Sequence, residues 1–158
     1  MALSNDSLSK IAREVAKYPV DQKQSAVMAA LQIAQDERGW LSTETIDDVA
    51  TVLSMPSIAV YEVASFYAMY NLKPIGKYKL TVCTNLPCAL NGGTHAAEYL
   101  RRKLGINFGE TTADGIYTMQ EGECQGNCDS APCLLVNNKR LCNRMSNERI
   151  DAMLAELN

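Results

Sequence analysis

Apolar residues recur at helical spacing from the start of the chain. Leu8, Ile11, Ala12 and Val15 fall at i, i+3, i+4 and i+7, and Pro19 stops that pattern. Val27, Ala30, Leu31 and Ala34 repeat the spacing, with Gly39 placed to close the helix. Ile46, Val49, Ala50 and Leu53 form a third stripe that Ser42 or Thr43 can cap and Met55-Pro56 ends. A fourth helix is expected over "SIAVYEVASFYAMY", capped by Ser57.

Beyond Pro74-Ile75-Gly76 the period changes from helical to alternating. In "KYKLTVCT", Tyr78, Leu80 and Val82 share one face while Lys77, Lys79 and Thr81 share the other, which predicts a strand buried on one side. A helix follows in "GGTHAAEYLRRKLG", with Ala97, Leu100 and Leu104 on one face, and "GIYTMQ" reads as a second strand. "CLLVNNKRLCN" predicts two short strands around an Asn137-Asn138 turn. The last helix is capped by Ser146 and buries Ile150, Met153, Leu154 and Leu157. The helix between the first two strands is long enough for a parallel crossover, whereas the last two strands can only form a hairpin. This β-α-β-β-β-α order is thioredoxin-like. The expected fold class is α+β: an N-terminal helical bundle over 1–74, then a thioredoxin-like domain over 75–158.

At 158 residues and 47% apolar content the chain can bury a core of its own. Its net charge of −3 argues against a nucleic-acid partner, which would require a basic face. Arg101, Arg102 and Lys103 read as a solvated helix face. The N-terminal stretch lacks a charged segment followed by an apolar one, so no signal peptide is expected. With no apolar run of about 18 residues, direct membrane insertion is not expected either. The expectation is therefore a cytoplasmic protein, in which thiols serve more often as metal ligands or redox groups than as disulfides.

The six cysteines all lie after residue 76. Cys83 and Cys88 are spaced C-x4-C across a proline-containing loop, and Cys124 and Cys128 are spaced C-x3-C in a loop after the second strand. Two close pairs at one end of a sheet can make a four-sulfur cage. Such a cage suits structural zinc or a [2Fe–2S] cluster with two cysteines per iron. The small residues of "NGG", "QGN" and "DSAP" let backbone N–H groups approach the sulfurs, as a cluster requires. A dithiol catalyst would need C-x-x-C, which is missing, and a Rieske centre would need two histidines where the chain has only His95. His95 reads as a surface residue.

"ALQIAQDERGWLS", "VYEVASFYAMY", "KYKLTVCTNLPC" and "GECQGNCDSAP" together resemble the thioredoxin-like [2Fe–2S] ferredoxin family. That family includes the small iron–sulfur subunit of bacterial respiratory NADH:quinone oxidoreductase. The resemblance implies one [2Fe–2S] cluster, with Cys83 and Cys88 on one iron and Cys124 and Cys128 on the other. It implies an electron-transfer subunit with no complete active site in this chain. The expected partners are a larger subunit holding FMN and the NADH site, together with other peripheral-arm subunits. The expected location is the cytoplasmic side of the inner membrane. No G-x-G-x-x-G follows a strand here, so NAD and FMN are expected only in the partner. Related subunits serve NAD-linked hydrogenases and formate dehydrogenases, and a zinc-stapled interaction module is the distant alternative.

Two further groups stand out. Cys133 departs from the family pattern and reads as a small buried residue opening a strand, with Cys142 on the facing strand; because "CDSAPC" echoes the C-x4-C of "CTNLPC", a Cys128/Cys133 pair is the competing reading. Tyr61, Phe66, Tyr67 and Tyr70, with Trp40, read as core, and a partner-docking face is the competing reading.

Overall fold

The computed structural model describes residues 3–157. Met1, Ala2 and Asn158, which end the two segments expected from sequence, lie outside the described residues. The α+β class is observed. The chain divides into two compact units, Met1–Pro74 and Ile75–Asn158, and each has its own hydrophobic cluster.

The first unit is helical: α1 (Asn5–Val15), α2 (Val27–Arg38), α3 (Thr43–Leu53) and α4 (Ser57–Phe66). The caps follow the sequence closely. Ser4 accepts the Ser7 N–H to start α1, and its own N–H and hydroxyl donate to Glu37 near the end of α2. Gly39 ends α2 at φ +81, a left-handed conformation that suits glycine. Of the two candidates at the start of α3, Ser42 is the cap, accepting the Thr45 N–H at 3.1 Å.

The fourth helix differs from the sequence reading at both ends. Ser57 does not cap it; Pro56 precedes the first turn, and the Ser57 hydroxyl donates to Asp47 instead. The helix stops at Phe66 rather than running to Tyr70, because Tyr67 turns extended. The cause lies in α2. Gln35 is buried; its side-chain amide donates to the Met69 carbonyl at 3.0 Å and accepts the Asn71 N–H at 2.6 Å. The Tyr70 hydroxyl donates to the Met28 carbonyl at 2.9 Å. These bonds draw residues 69–71 out of helical register and place Tyr70 in the core. Phe66, 80% exposed, Tyr61 and Tyr67 remain outside it.

The second unit contains β1 (Tyr78–Cys83), α5 (Leu86–Leu90), α6 (Gly93–Leu104), β2 (Tyr117–Gly122), β3 (Leu134–Val136), β4 (Arg140–Cys142) and α7 (Asn147–Leu157). Its sheet runs β2-β1-β3-β4. The β1–β2 pair is parallel and the others are antiparallel. Asn137 and Asn138 take φ values of 51 and 56, the left-handed turn that closes the β3–β4 hairpin. Leu80, Val82, Met119, Leu134 and Val136 share a core with Ala96, Ala97 and Leu100 of α6 and Ile150, Met153 and Leu154 of α7.

β1 is not buried on one side only. Lys79, expected on an open face, is 2% exposed, and its cross-strand partner Thr118 is buried too. Thr118 is satisfied locally: its hydroxyl accepts the Gly76 N–H at 2.7 Å and bonds the Thr111 hydroxyl at 2.7 Å. Burial lowers the Lys79 ammonium to about 8.

Candidate metal centre

Because β1 and β2 are parallel, both strands end at the same edge of the sheet. Cys83, the last residue of β1, stands opposite Gly122, the last of β2. Both cysteine-bearing segments leave from there. Cys88 lies on a short helical turn, α5, rather than in a loop, with Pro87 in its first turn, where a missing N–H costs nothing. Cys124 follows β2, and Cys128 opens the 3₁₀ turn Cys128–Ser130. The Ala131–Pro132 peptide is cis.

The two segments are joined by several contacts. Thr84 donates to Glu121 at 2.7 Å, and the Asn85 amide donates to Glu123 at 3.3 Å. The Gln125 side chain donates to the Thr81 carbonyl at 2.9 Å. A Cβ at Gly93 would stand 2.8 Å from the Cys88 carbonyl group and 3.0 Å from the Cys83 oxygen, so the start of α6 packs directly on the first segment. The second segment is held by the chain after β4: Arg144 N–H donates to Ser130 and Met145 N–H to Pro132, each at 2.9 Å.

The sulfurs fall into two groups. Cys124 and Cys128 are exposed, with Sγ atoms 3.9 Å apart. Cys83, Cys88 and Cys133 are buried, with all three Sγ atoms within 4.8 Å of one another and Cys88–Cys133 at 3.7 Å. A tetrahedral metal with bonds to sulfur of about 2.3 Å sets two ligand sulfurs about 3.8 Å apart. Cys124–Cys128 and Cys88–Cys133 therefore already stand at ligand spacing, and the donor set fits a group with four thiolates.

Backbone donors reach the sulfurs as the small loop residues led one to expect. Gly126 N–H donates to the Cys124 sulfur at 3.4 Å. Burial pushes the Cys83 thiol up, while backbone N–H groups of Asn85 and Gln125 act against that rise. Cys128 is pushed up first by its hydrogen bond with Cys124, then by partial desolvation, and further by Cys88 and Cys83, so the two groups lie within electrostatic reach. Burial, then Cys88, pushes Cys133 up to about 12. Each shift favours protonated thiols in the metal-free chain, a cost that a bound cation reverses.

Cys133 is buried directly before β3, as its place in the sequence implies, but its sulfur joins Cys83 and Cys88, which sequence reasoning missed. The echo of "CTNLPC" in "CDSAPC" pointed to Cys128 as the partner of Cys133, and the structure sets Cys133 against Cys88 instead. Cys142 is buried in the core of the unit with Leu134 and Ile150, apart from these sulfurs. His95 is exposed on α6.

A four-stranded thioredoxin-like sheet with thiol pairs at one edge is the arrangement of a thiolate metal centre, and the family match makes it one of the iron–sulfur ferredoxin class. A family model described as thioredoxin-like [2Fe-2S] ferredoxin matches residues 11–158. The chain belongs to that family. It is 37% identical to NADH-quinone oxidoreductase subunit 2 of Thermus thermophilus over 99% of this chain and 87% of that protein. It is 44% identical to an NADH-quinone oxidoreductase subunit of Rickettsia prowazekii over 78% of this chain and 70% of that protein. Among solved structures, it resembles a chain of an NAD+-reducing [NiFe]-hydrogenase, seen in the H2-reduced and air-oxidized states, with TM-score 0.69 and 25% identity. That likeness covers 80% of this chain but only 22% of the hydrogenase chain. Among the described residues, no single helix is long and apolar enough to cross a membrane.

Proposed function

We propose that this chain is the [2Fe–2S] electron-transfer subunit of the NADH-oxidising module of an NADH:quinone oxidoreductase. Cys83 and Cys88 hold one iron, and Cys124 and Cys128 hold the other. The observation that carries this reading is the convergence of both thiol pairs at the shared end of parallel β1 and β2, with the Cys124 and Cys128 sulfurs 3.9 Å apart and those of Cys83 and Cys88 within 4.8 Å of each other. The names of the relatives at 37% and 44% identity supply the choice of complex.

When bound, the cluster accepts and returns one electron at a time. The chain's own contribution is the cage. Buried Cys83 and Cys88 keep water from one side, while exposed Cys124 and Cys128 leave the other side accessible to a partner. N–H donors at Asn85, Gln125 and Gly126 stabilise negative charge on the sulfurs. Electrons come from FMN in a larger partner subunit that also binds NADH, and the assembly sits peripherally on the cytoplasmic side of the inner membrane with other peripheral-arm subunits. Exposed Leu86 and Leu90 flank Cys88 on α5 and suit a docking surface beside the cluster.

The hydrogenase likeness, at lower identity, favours a second reading, the equivalent diaphorase subunit of an NAD-linked hydrogenase. Anaerobic purification tests the core proposal. Brown protein with visible absorbance, a paramagnetic resonance signal after dithionite, and two irons and two sulfides per chain is expected. Colourless protein carrying one zinc would replace the proposal with a zinc-stapled module. Co-purification with quinone-reducing rather than hydrogen-oxidising activity separates the two complexes.

A further inference from the structure

Five thiols meet at a site that needs four, and the fifth is not peripheral. We propose that Cys133 is a spare ligand for the iron assigned to Cys83 and Cys88, taking over when either sulfur is lost. The inference rests on the [2Fe–2S] reading above.

The geometry gathers the three buried sulfurs into one group. Cys88 and Cys133 are 3.7 Å apart, against about 3.8 Å for two sulfurs on one tetrahedral metal. That fit is as good as the 3.9 Å of Cys124 and Cys128, the pair assigned to the other iron. Cys83 lies within 4.8 Å of both. Whichever one of the three is removed, two sulfurs remain within 4.8 Å of each other to hold an iron, after at most a small side-chain adjustment.

Cys133 is also held in place. The Cys83 N–H donates to its carbonyl at 3.2 Å, fixing its backbone against the end of β1. The Met145 N–H bonds the preceding Pro132 carbonyl at 2.9 Å. Cys83, Cys88 and Cys133 pack together with Ala131 as a small apolar cluster, 1–2% exposed, so the exchange occurs away from competing water. The step balances without an oxidant. In the wild type the bond from iron to Cys88 sulfur breaks, the bond to Cys133 sulfur forms, and the Cys133 proton passes to the departing Cys88 thiolate; where Cys88 is replaced, Cys133 releases its proton to solvent as the cluster assembles, as any ligand thiol does. Neither iron nor sulfur changes oxidation state. Among the described residues the exposed pair has no such third member close by, so the two halves of the cage should differ in tolerance.

The test uses the full chain purified anaerobically, with iron and sulfide content, visible absorbance and paramagnetic resonance as readouts. Cys83→Ala and Cys88→Ala are each expected to retain at least about half of the wild-type cluster with altered resonance parameters. The doubles Cys83→Ala/Cys133→Ala and Cys88→Ala/Cys133→Ala are expected to fall to about a tenth or less. Circular dichroism of the metal-free proteins confirms folding. Both single variants folded but empty would overturn the proposal. If neither folds, chelator-driven bleaching of Cys133→Ala and Cys133→Val decides: both at least about threefold faster than wild type supports a recapturing thiol, and an unchanged rate in either rules it out. A wild type lacking the cluster would instead overturn the underlying reading, and is seen before any variant is made.

Discussion

Cys83 and Gly122 face one another across the last rung of the parallel β1–β2 pair, and the space between the strands there is already full. A Cβ on Gly122 would stand 2.4 Å from the Thr81 methyl carbon. Gly122→Ala must therefore push the second cysteine segment away from β1. Overpacking of this kind costs about 1–3 kcal/mol. Thermal unfolding should show that loss together with reduced iron content, and Thr81→Ser, which removes the obstructing methyl, should restore both in the double variant.

Gln35 does comparable work in the helical unit. Its amide satisfies one carbonyl and one N–H of residues 69–71 from a buried position. Gln35→Leu removes two hydrogen bonds to half-buried backbone groups, at about 1 kcal/mol each. Urea unfolding is expected to give a total loss of about 2 kcal/mol. The same substitution at Gln24, which is exposed, should leave the midpoint nearly unchanged.

The same residue explains what could be read from the chain. The stripes of α1, α2, α3 and α7 are local, so a 3.6-residue period reveals them. The left-handed Asn137-Asn138 turn is equally local. Tyr70 leaves its helix because of Gln35, a distant partner, as the 34-residue span from Gln35 to Met69 indicates. No window of sequence contains that constraint. Lys79 looks like a solvent-facing residue in an alternating strand, yet what covers it comes from elsewhere in the chain. At the metal centre, spacing marked the thiols but left Cys128 able to pair with Cys124 or Cys133, because the Cys88–Cys133 contact spans 45 positions and depends on how β3 is seated beside β1.

Lys79 yields a pH dependence with a definite sign. Its folded value is about 8, against 10.5 when exposed. Between those values the unfolded chain holds a proton that the folded chain has released, so stability rises with pH across that window. Below about 8 the cost of burying the charge is fully present. It amounts to about 3 kcal/mol at most, at 1.36 kcal/mol per unit. Lys79→Met is expected to be more stable than wild type at neutral pH, with the advantage shrinking from pH 8 upward. Denaturant midpoints measured across that range for both proteins check it; parallel curves would remove Lys79 as the cause.

The exposed pair should be the less forgiving half of the cage. Cys124→Ser or Cys128→Ser is expected to abolish or strongly perturb the visible and paramagnetic resonance spectra. Cys133→Ala should leave the resting spectrum largely intact, because Cys83 and Cys88 remain. Loss of the spectrum in Cys133→Ala with retention in Cys124→Ser would reverse the ligand assignment.

Gln125 should separate stability from retention of the metal. Its side-chain N–H groups donate to the Thr81 carbonyl at 2.9 Å, tethering the second cysteine segment to β1. Its side-chain oxygen, however, is buried with no hydrogen-bond partner among the described residues. Gln125→Ala thus removes a hydrogen bond of about 1 kcal/mol and also relieves an orphan acceptor of similar cost. The two nearly cancel, so the melting temperature should move little. The tether is still gone, and with it the fixed position of the backbone N–H that acts on Cys83. Chelator-driven bleaching at 25 °C is expected to accelerate by about threefold or more. A lower melting temperature with unchanged bleaching would make Gln125 a packing residue rather than a tether of the metal centre.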